Sequence, residues 1–241
     1  PEKIQNVARR VASYAAEGHR MVVVVSAMGK TTDSLVALAS AITPTPDPRE
    51  MDMLLATGEQ VTIGLLAMAL TALGRPASSF TGPQVGLVTD TAHTRARIRR
   101  ITGERIMAAL EAGRIAVVAG FQGATEGGDI TTLGRGGSDL TGVALAAALK
   151  ADVCEIFTDV DGVSTADPNL VPDARKLARV SYDEMLEMAS LGSKVLQARS
   201  VEFAKKFSVP VHVRSTFKPD AGTLVTREDH SMEDVVVTGI S

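Results

Sequence analysis

The run MVVVVS at residues 21–26 is a continuous β-branched stretch, the pattern of a strand buried on both faces rather than one alternating between core and solvent. A sheet built on such strands needs helices to cover it, and the rest of the chain supplies them. Ile4, Val7, Ala8, Val11, Ala12 and Ala15 recur at helical spacing ahead of Gly18, which predicts an amphipathic helix over 2–17. A second helix is predicted from Asp33 to Ala41. Prolines 44, 46 and 48 then make TPTPDPRE neither helix nor central strand but a rigid surface connection. A long helical region follows from about Glu50 to Leu73, interrupted by Gly58 and Gly64 and closed by Gly74. Further strands are predicted at 77–80, 85–88, 114–119, 153–157 and 211–214, with helices near 102–112, 139–149, 182–190 and 195–207. This alternation predicts an α/β chain with a mostly parallel sheet covered on both faces. Ligands of such sheets bind outside the carboxyl ends of the strands, so the loops after residues 26, 120 and 157 are where a site is expected.

Composition narrows the ligands. At 241 residues and 45% hydrophobic the chain has enough apolar surface for one large domain, or a large domain with a small lobe. A net charge of −3 leaves no face-wide excess of Lys and Arg, which argues against nucleic-acid or membrane-surface partners. The basic run RARIRR at 95–100 is therefore read as a solvated helix face. Cys154 is the single cysteine, lies in the apolar run DVCEIFT, and predicts a buried thiol in a chain suited to a reducing cytoplasm. No stretch is read as reaching the ~18 apolar residues of a membrane span, and PEKIQNVARR lacks a signal-peptide layout. Histidines 19, 93, 212 and 230 show no metal-ligand spacing, and His212, in VPVHVRS, is read as a satisfied core or edge residue.

Three loops carry candidate chemistry. In TTLGRGGSDLTGVALAAAL, glycines 134, 136 and 137 permit close backbone approach, Ser138 and Asp139 suit an N-cap, and the Arg135 fork matches a carboxylate or phosphate. The alternative is a flexible loop before a packed helix. The approach to it, AGFQGATEGGDI, joins it as one long glycine-rich loop between a buried strand and a helix. In SAMGKTTD, Gly29-Lys30-Thr31 resembles a P-loop, but Val24 stands where the leading glycine should be. Ser26, Thr31 and Thr32 place hydroxyls at a strand end and helix start, for a small polar ligand or for a plain capping turn. In TDVDGVSTADPN, aspartates 159, 161 and 167 lack the twelfth-position glutamate of a calcium loop, and the Asp-Gly and Asp-Pro turns after Thr158 fit the edge of a nucleotide better. Glu59, in LATGEQ among Leu54, Leu55, Val61 and Leu65, either receives a substrate ammonium or lies on an exposed helix surface. Lys194, in SLGSKVL, stands near a helix start where a cation reaches phosphates or is simply solvated. No Ser-His-Asp or Cys-His signature is present, and no G-x-G-x-x-G follows the first strand.

Together VVVVSAMGKTTD, LLATGEQ, SFTGPQVGLVTD, VAGFQG, TTLGRGGSD, TDVDGV with TADP, LGSKVL and VPVHVRS resemble the aspartate kinase branch of the amino acid kinase family, in the same order and nearly end to end. The resemblance implies a three-layer αβα sandwich around a mainly parallel sheet, with residues 1–241 forming the catalytic domain. It implies transfer of the γ-phosphoryl group of ATP, with Mg2+ held mainly by phosphates and water, to the side-chain carboxylate of L-aspartate. By motif, Arg135 would grip the substrate α-carboxylate and Glu59 its amine, while Ser26, Thr32, Phe121 and Ser138 would line the pocket. Asp139 would organise the positive groups around the transferring phosphoryl. Thr158 and Asp159 would border the nucleotide, Ser164, Asp167 and Asn169 would lie along it, and Lys194 would neutralise its phosphates. A homo-oligomer is expected, with regulatory ACT domains or a regulatory subunit.

The chain departs from that pattern in three places. The family's Lys-x-Gly-Gly first strand is absent before Pro1, so a chain beginning there is expected to be nearly inactive and to expose a sheet edge. Ser164 and Asn169 replace an aromatic residue and an arginine, which bears on nucleotide affinity. The sequence stops at VVVTGIS, where feedback-regulated members continue into ACT domains. The rival readings are another amino acid kinase, such as one acting on glutamate, and a non-catalytic nucleotide-binding subunit.

Overall fold

The structure, a computed structural model, describes residues 1–168, 170–193 and 195–228. Asn169, Lys194, His230 and the closing VVVTGIS therefore lie outside the described residues. The chain divides into two compact units, Pro1–Thr141 and Gly142–Ser241.

The first unit opens with α1 (Glu2–Ala16), β1 (Val22–Val25) and α2 (Thr31–Ile42). Next come α3 (Pro48–Leu55), α4 (Thr57–Ala72) and β2 (Ala77–Phe80). A 3-10 turn at Pro83–Val85 leads to β3 (Leu87–Thr89), β4 (Ile98–Ile101), α5 (Glu104–Glu111) and β5 (Ile115–Ala119). The hairpin β6 (Gln122–Ala124) and β7 (Ile130–Thr132) precedes α6 (Gly137–Leu149), within which the boundary between the units falls. Strands β1, β5 and β2 form a parallel sheet in that order, with Val22 opposite Ala116 and Ala77 opposite Ile115. All five residues of β5 are buried, as a central parallel strand requires. The valine run was expected to be buried on both faces, but among the described residues β1 has a partner strand on one side only and its four residues are half-buried. Ala8 and Val11 of α1, Ile63, Leu66 and Leu70 of α4, and Ile115, Val117 and Ala119 of β5 make one core.

Several expectations are corrected by local chemistry. Pro48 is not part of the connection; it is the first helical residue of α3, where its missing N–H costs nothing, and Asp47 caps the helix by accepting from the Arg49 and Glu50 amides. The long helix breaks at Ala56, and Gly64 passes without a break inside α4. One 18-residue stretch within Pro48–Ala72 is long and apolar enough, by length and composition only, to pass for a membrane span. Its inner face, with Leu66 and Leu70 fully buried, is that of a core helix. The predicted strand 85–88 begins later, at Leu87, because Val85 closes the 3-10 turn before Gly86 at φ +71°. RARIRR is not a helix face. Ile98 to Ile101 is β4, antiparallel to β3, and the Asp90 carboxylate closes the preceding turn by accepting from the Arg97 amide at 3.0 Å. The long second loop is mostly hairpin, its turn closed by the Thr125 and Asp129 amides.

The second unit contains β8 (Cys154–Thr158), β9 (Arg179–Ser181), α7 (Tyr182–Leu191), α8 (Ala198–Phe207), β10 (Val211–Ser215) and β11 (Thr223–Thr226). Its sheet runs β8-β10-β11-β9, parallel between β8 and β10 and between β9 and β11, antiparallel between β10 and β11. A reciprocal capping box between Ser181 and Glu184 starts α7. Cys154 is buried in this core with Val143, Ile156, Met185 and Val211. His212 sits in β10 with Nε2 2.5 Å from the Ala221 carbonyl, a satisfied histidine as expected.

Candidate active site

Glu59 lies in the first turn of α4 and is 3% exposed. Its burial follows from Gly58, where a Cβ would stand 2.9 Å from Ala27 Cβ, so the helix start closes directly onto the loop after β1. Glu59 Oε1 accepts from the Ala27 amide at 3.0 Å, while Oε2 is buried with no hydrogen-bond partner among the described residues. Burial raises the Glu59 pKa above the ordinary carboxylate value, and the Ala27 N–H pulls in the opposite direction. A half-satisfied buried carboxylate is a receptor for a cation. In the same loop Ser26 is exposed, Thr31 donates to the Met28 carbonyl at 2.7 Å, and Thr32 is half-buried at the start of α2.

The second group stands where β5 meets α6. The Gly120 amide donates to the Val25 carbonyl at 3.0 Å, which ties this end of β5 to the end of β1. A Cβ on Gly120 would lie 2.8 Å from Ser138 Oγ and 3.0 Å from Ser138 Cα, so only glycine admits the start of α6 at this distance. Phe121 adopts φ +68°; its amide donates to Thr141 Oγ1 at 3.1 Å and its carbonyl accepts from Leu133 at 2.8 Å. Its ring edge packs at Gly137, where an added Cβ would meet Phe121 Cδ2 at 2.8 Å. The helix begins at Gly137, so Ser138 and Asp139 occupy its first turn rather than the cap position. Burial alone raises the Asp139 pKa. Arg135 is exposed, and its guanidinium makes no hydrogen bond or ion pair among the described residues. Helix start, glycine-lined backbone and free guanidinium together suit an anion.

The structure thus brings Phe121, Ser138 and the backbone before Arg135 together, and links Glu59 to the loop carrying Ser26. Thr158, Asp159, Ser164 and Asp167 belong to the second unit. There Thr158 Oγ1 donates to Asp159 Oδ1 at 3.1 Å, and Ser164 pairs with Lys176 in an isolated antiparallel bridge. The Asp167 carbonyl accepts from the Leu170 and Val171 amides. Lys218 pairs with Asp161 at 2.6 Å, holding the Asp161 carboxyl below its ordinary value and fastening this loop to the one after β10. Thr223 Oγ1 accepts from the Val163 amide and donates to the Leu177 carbonyl. Asn169 and Lys194 lie outside the described residues.

Sequence reasoning missed the groups that fix these candidates. The Gln122 side chain, fully buried, donates to the Ala56 carbonyl at 2.8 Å, in the break that introduces Glu59. Asp52 is fully buried and accepts the hydroxyl of Thr132, three residues before Arg135. Each was detectable as a lone polar residue inside an otherwise apolar or glycine-rich segment, GFQG and MDMLL.

A family model described as "Amino acid kinase family" matches residues 1–215. Aspartokinase 2 of Bacillus subtilis is 58% identical over 240 residues, covering all of this chain and 59% of that protein. The crystal structure of aspartate kinase from Synechocystis superposes with a TM-score of 0.84 at 52% identity, covering 94% of this chain and 37% of the other. That of E. coli aspartokinase III in complex with aspartate and ADP gives 0.74 at 32% identity, covering 83% and 46%. The chain spans about three fifths of the length of the curated relatives it matches.

Proposed function

The chain belongs to the amino acid kinase family, and on that premise we propose that it is the catalytic domain of an aspartate kinase, making 4-phospho-L-aspartate from L-aspartate and MgATP. The observation that carries the reading is Glu59, a buried carboxylate with one oxygen unpartnered among the described residues, in the same unit as Arg135, which is also unpaired among them. An acceptor with an ammonium and an α-carboxylate needs both groups, and aspartate has both. The relatives named aspartate kinase, and the aspartate and ADP held by the E. coli relative, support the same choice.

In this reading Glu59 receives the ammonium and Arg135 the α-carboxylate, with Ser26, Thr32, Phe121 and Ser138 around the substrate. The aspartate side-chain carboxylate attacks the γ-phosphorus, the bond from that phosphorus to the β–γ bridging oxygen breaks, and ADP leaves. A carboxylate is already ionised at neutral pH, so no general base is required, and catalysis reduces to alignment and charge neutralisation. Asp139 orients the cationic groups, Lys194 neutralises phosphates, and Thr158, Asp159, Ser164, Asp167 and Asn169 border the nucleotide. Mg2+ travels on the phosphates. The product is the first intermediate toward lysine, threonine and methionine, made in the cytoplasm by a homo-oligomer under the control of ACT domains or a regulatory subunit.

The test is a coupled ADP-release assay on the protein as its gene encodes it. ADP release that requires L-aspartate supports the reading; release equal with L-glutamate, or none with either, ends it.

A further inference from the structure

Four polar contacts leave α3, the break at Ala56 and the start of α4 in the first unit. Arg49 Nε donates to Asp129 at 2.8 Å, Asp52 binds Thr132, the Ala56 carbonyl accepts from Gln122, and Glu59 binds the Ala27 amide. Arg49 and Asp52 reach out from α3, the Ala56 carbonyl from the break after it, and Glu59 from the first turn of α4. The first three contacts reach the β6–β7 hairpin, which leads straight into the Arg135 loop. Arg49 and Asp129 are about half exposed, where an ion pair contributes little. The buried member of this seam is Asp52.

Asp52 is fully buried, and the Thr94 amide and the Thr132 hydroxyl both donate to it. Both of its oxygens accept from the Thr94 amide, at 3.1 and 3.0 Å. Oδ2 lies 2.8 Å from His93 Nδ1, and Oδ1 accepts the Thr132 hydroxyl at 2.5 Å. The carboxylate therefore grips two separate segments. One is the turn at 93–94, where Thr94 is held at φ +66°, a conformation a β-branched residue does not adopt unforced. The other is Thr132, the last residue of β7. These segments meet again beyond Asp52: the Ala96 amide donates to the Thr132 carbonyl at 2.9 Å, and a Cβ on Gly134 would stand 3.0 Å from the Thr94 carbonyl oxygen. Gly134 is thus seated against the turn that Asp52 holds, and Arg135 is the next residue.

We propose that Asp52 is a positioning residue for substrate binding: by holding Thr94 and Thr132 together it sets the backbone of Gly134, and so where the Arg135 guanidinium stands. The proposal rests on the reading of Arg135 as the partner of the substrate α-carboxylate. It also accounts for the cost of the group. A buried carboxylate is expensive to desolvate and is easily replaced where only packing is at stake. An acceptor for several converging donors, with no donor of its own, is what only a carboxylate supplies here. Asparagine has nearly the same volume but turns an N–H toward one of these donors.

Two variants test it in the protein as its gene encodes it. Thr132→Val removes the tie to β7 and leaves the Asp52 contacts to His93 and Thr94. It should raise the KM for L-aspartate about tenfold, with the KM for ATP and kcat within about twofold, since a small misplacement of a clamp is felt in binding geometry. Asp52→Asn should give the larger rise, and in an Arg135→Ala background it should add little, because both changes remove the same interaction. Should Asp52→Asn fail to fold, Thr132→Val carries the test. Amide hydrogen exchange supplies a readout independent of turnover: residues 92–96 and 131–137 should exchange faster in Thr132→Val, with β5 unchanged. A melting temperature that falls while exchange in these segments and the aspartate KM stay at wild-type values would reduce Asp52 to a structural role and overturn the proposal. A wild-type protein without aspartate-dependent turnover would defeat the functional reading, and exchange would still decide whether Asp52 sets the loop.

Discussion

Glu59 sets the protein against its own stability. Its pKa is raised by burial, so between the ordinary carboxylate value and the raised one the folded chain holds a proton that the unfolded chain has released. Stability therefore falls as pH rises through that window, and the penalty is complete once the folded group ionises. Glu59→Gln should be more stable than wild type by about 1 kcal/mol at about pH 8, and the two melting curves should converge near pH 4. L-Aspartate should raise the wild-type melting temperature and leave Glu59→Gln almost unmoved, while the variant's aspartate KM rises about 10- to 100-fold, as loss of a charge-assisted hydrogen bond predicts. Equal melting curves at all pH values would mean the carboxylate has a partner after all. Ser200 is a simpler case: its hydroxyl is buried beside Ile156, Val201 and Val211 with no partner among the described residues. Ser200→Ala should stabilise by about 1 kcal/mol, read as a rise of ~2–4 °C in melting temperature. At this scale the sequence announced that Glu59 was a carboxylate among leucines, but not that one of its oxygens would be left over. That depends on which backbone amide comes within reach, and Ala27 is 32 positions away.

At the scale of elements, the start of α4 is held by a contact that has no room for a methyl group. Gly58 is helical, and alanine there would ordinarily gain about 1 kcal/mol of helix propensity. Here its Cβ would overlap Ala27 Cβ at 2.9 Å, and overpacking of that kind costs about 1–3 kcal/mol. Gly58→Ala should therefore lower the melting temperature despite better propensity. Because the first turn of α4 must move away from Ala27, the aspartate KM should rise by about tenfold with little change in the KM for ATP. A more stable variant with unchanged kinetics would show that the helix start and the loop after β1 are not coupled. The elements that were legible are those whose pattern is local: the amphipathic α1, the apolar β5, the capped α7. The break at Ala56, the strand β4 and the β6–β7 hairpin were not. RARIRRI, residues 95–101, carries only two isoleucines among four arginines and one alanine, and its strand character comes from pairing with β3 and from the Asp90 turn. The hairpin was hidden because glycine-rich segments read as loop until a partner strand, here β3 beside β6, supplies the hydrogen bonds.

For the whole molecule, the assigned residues sort by unit. Ser26, Thr32, Glu59, Phe121, Arg135, Ser138 and Asp139 all precede residue 142, and Thr158, Asp159, Ser164, Asp167, Asn169 and Lys194 all follow it. The proposed acceptor motifs run through GRGGSD and the proposed nucleotide motifs start at TDVDG, whereas the sequence reading placed all of them in one catalytic domain over 1–241. The compactness of each unit was not readable, because the change of core from the α1–α4–β5 cluster to the cluster around Val143, Met185 and Val211 falls near the middle of one uninterrupted apolar helix, α6. If the roles are right, each ligand alone should act on its own unit. L-Aspartate should slow amide exchange in 26–32, 57–60 and 133–139, and a non-hydrolysable ATP analogue with Mg2+ should slow it in 158–167. A bound ligand at about 100 times its Kd lowers the population of local openings that disrupt its site by about 100-fold, so the effect is well within reach of exchange measurements. Aspartate that protected only the second unit, or a nucleotide that protected Arg135 and its neighbours, would reverse the assignment of Arg135 from the acceptor carboxylate to the phosphates, and with it the role of Asp52 behind that loop.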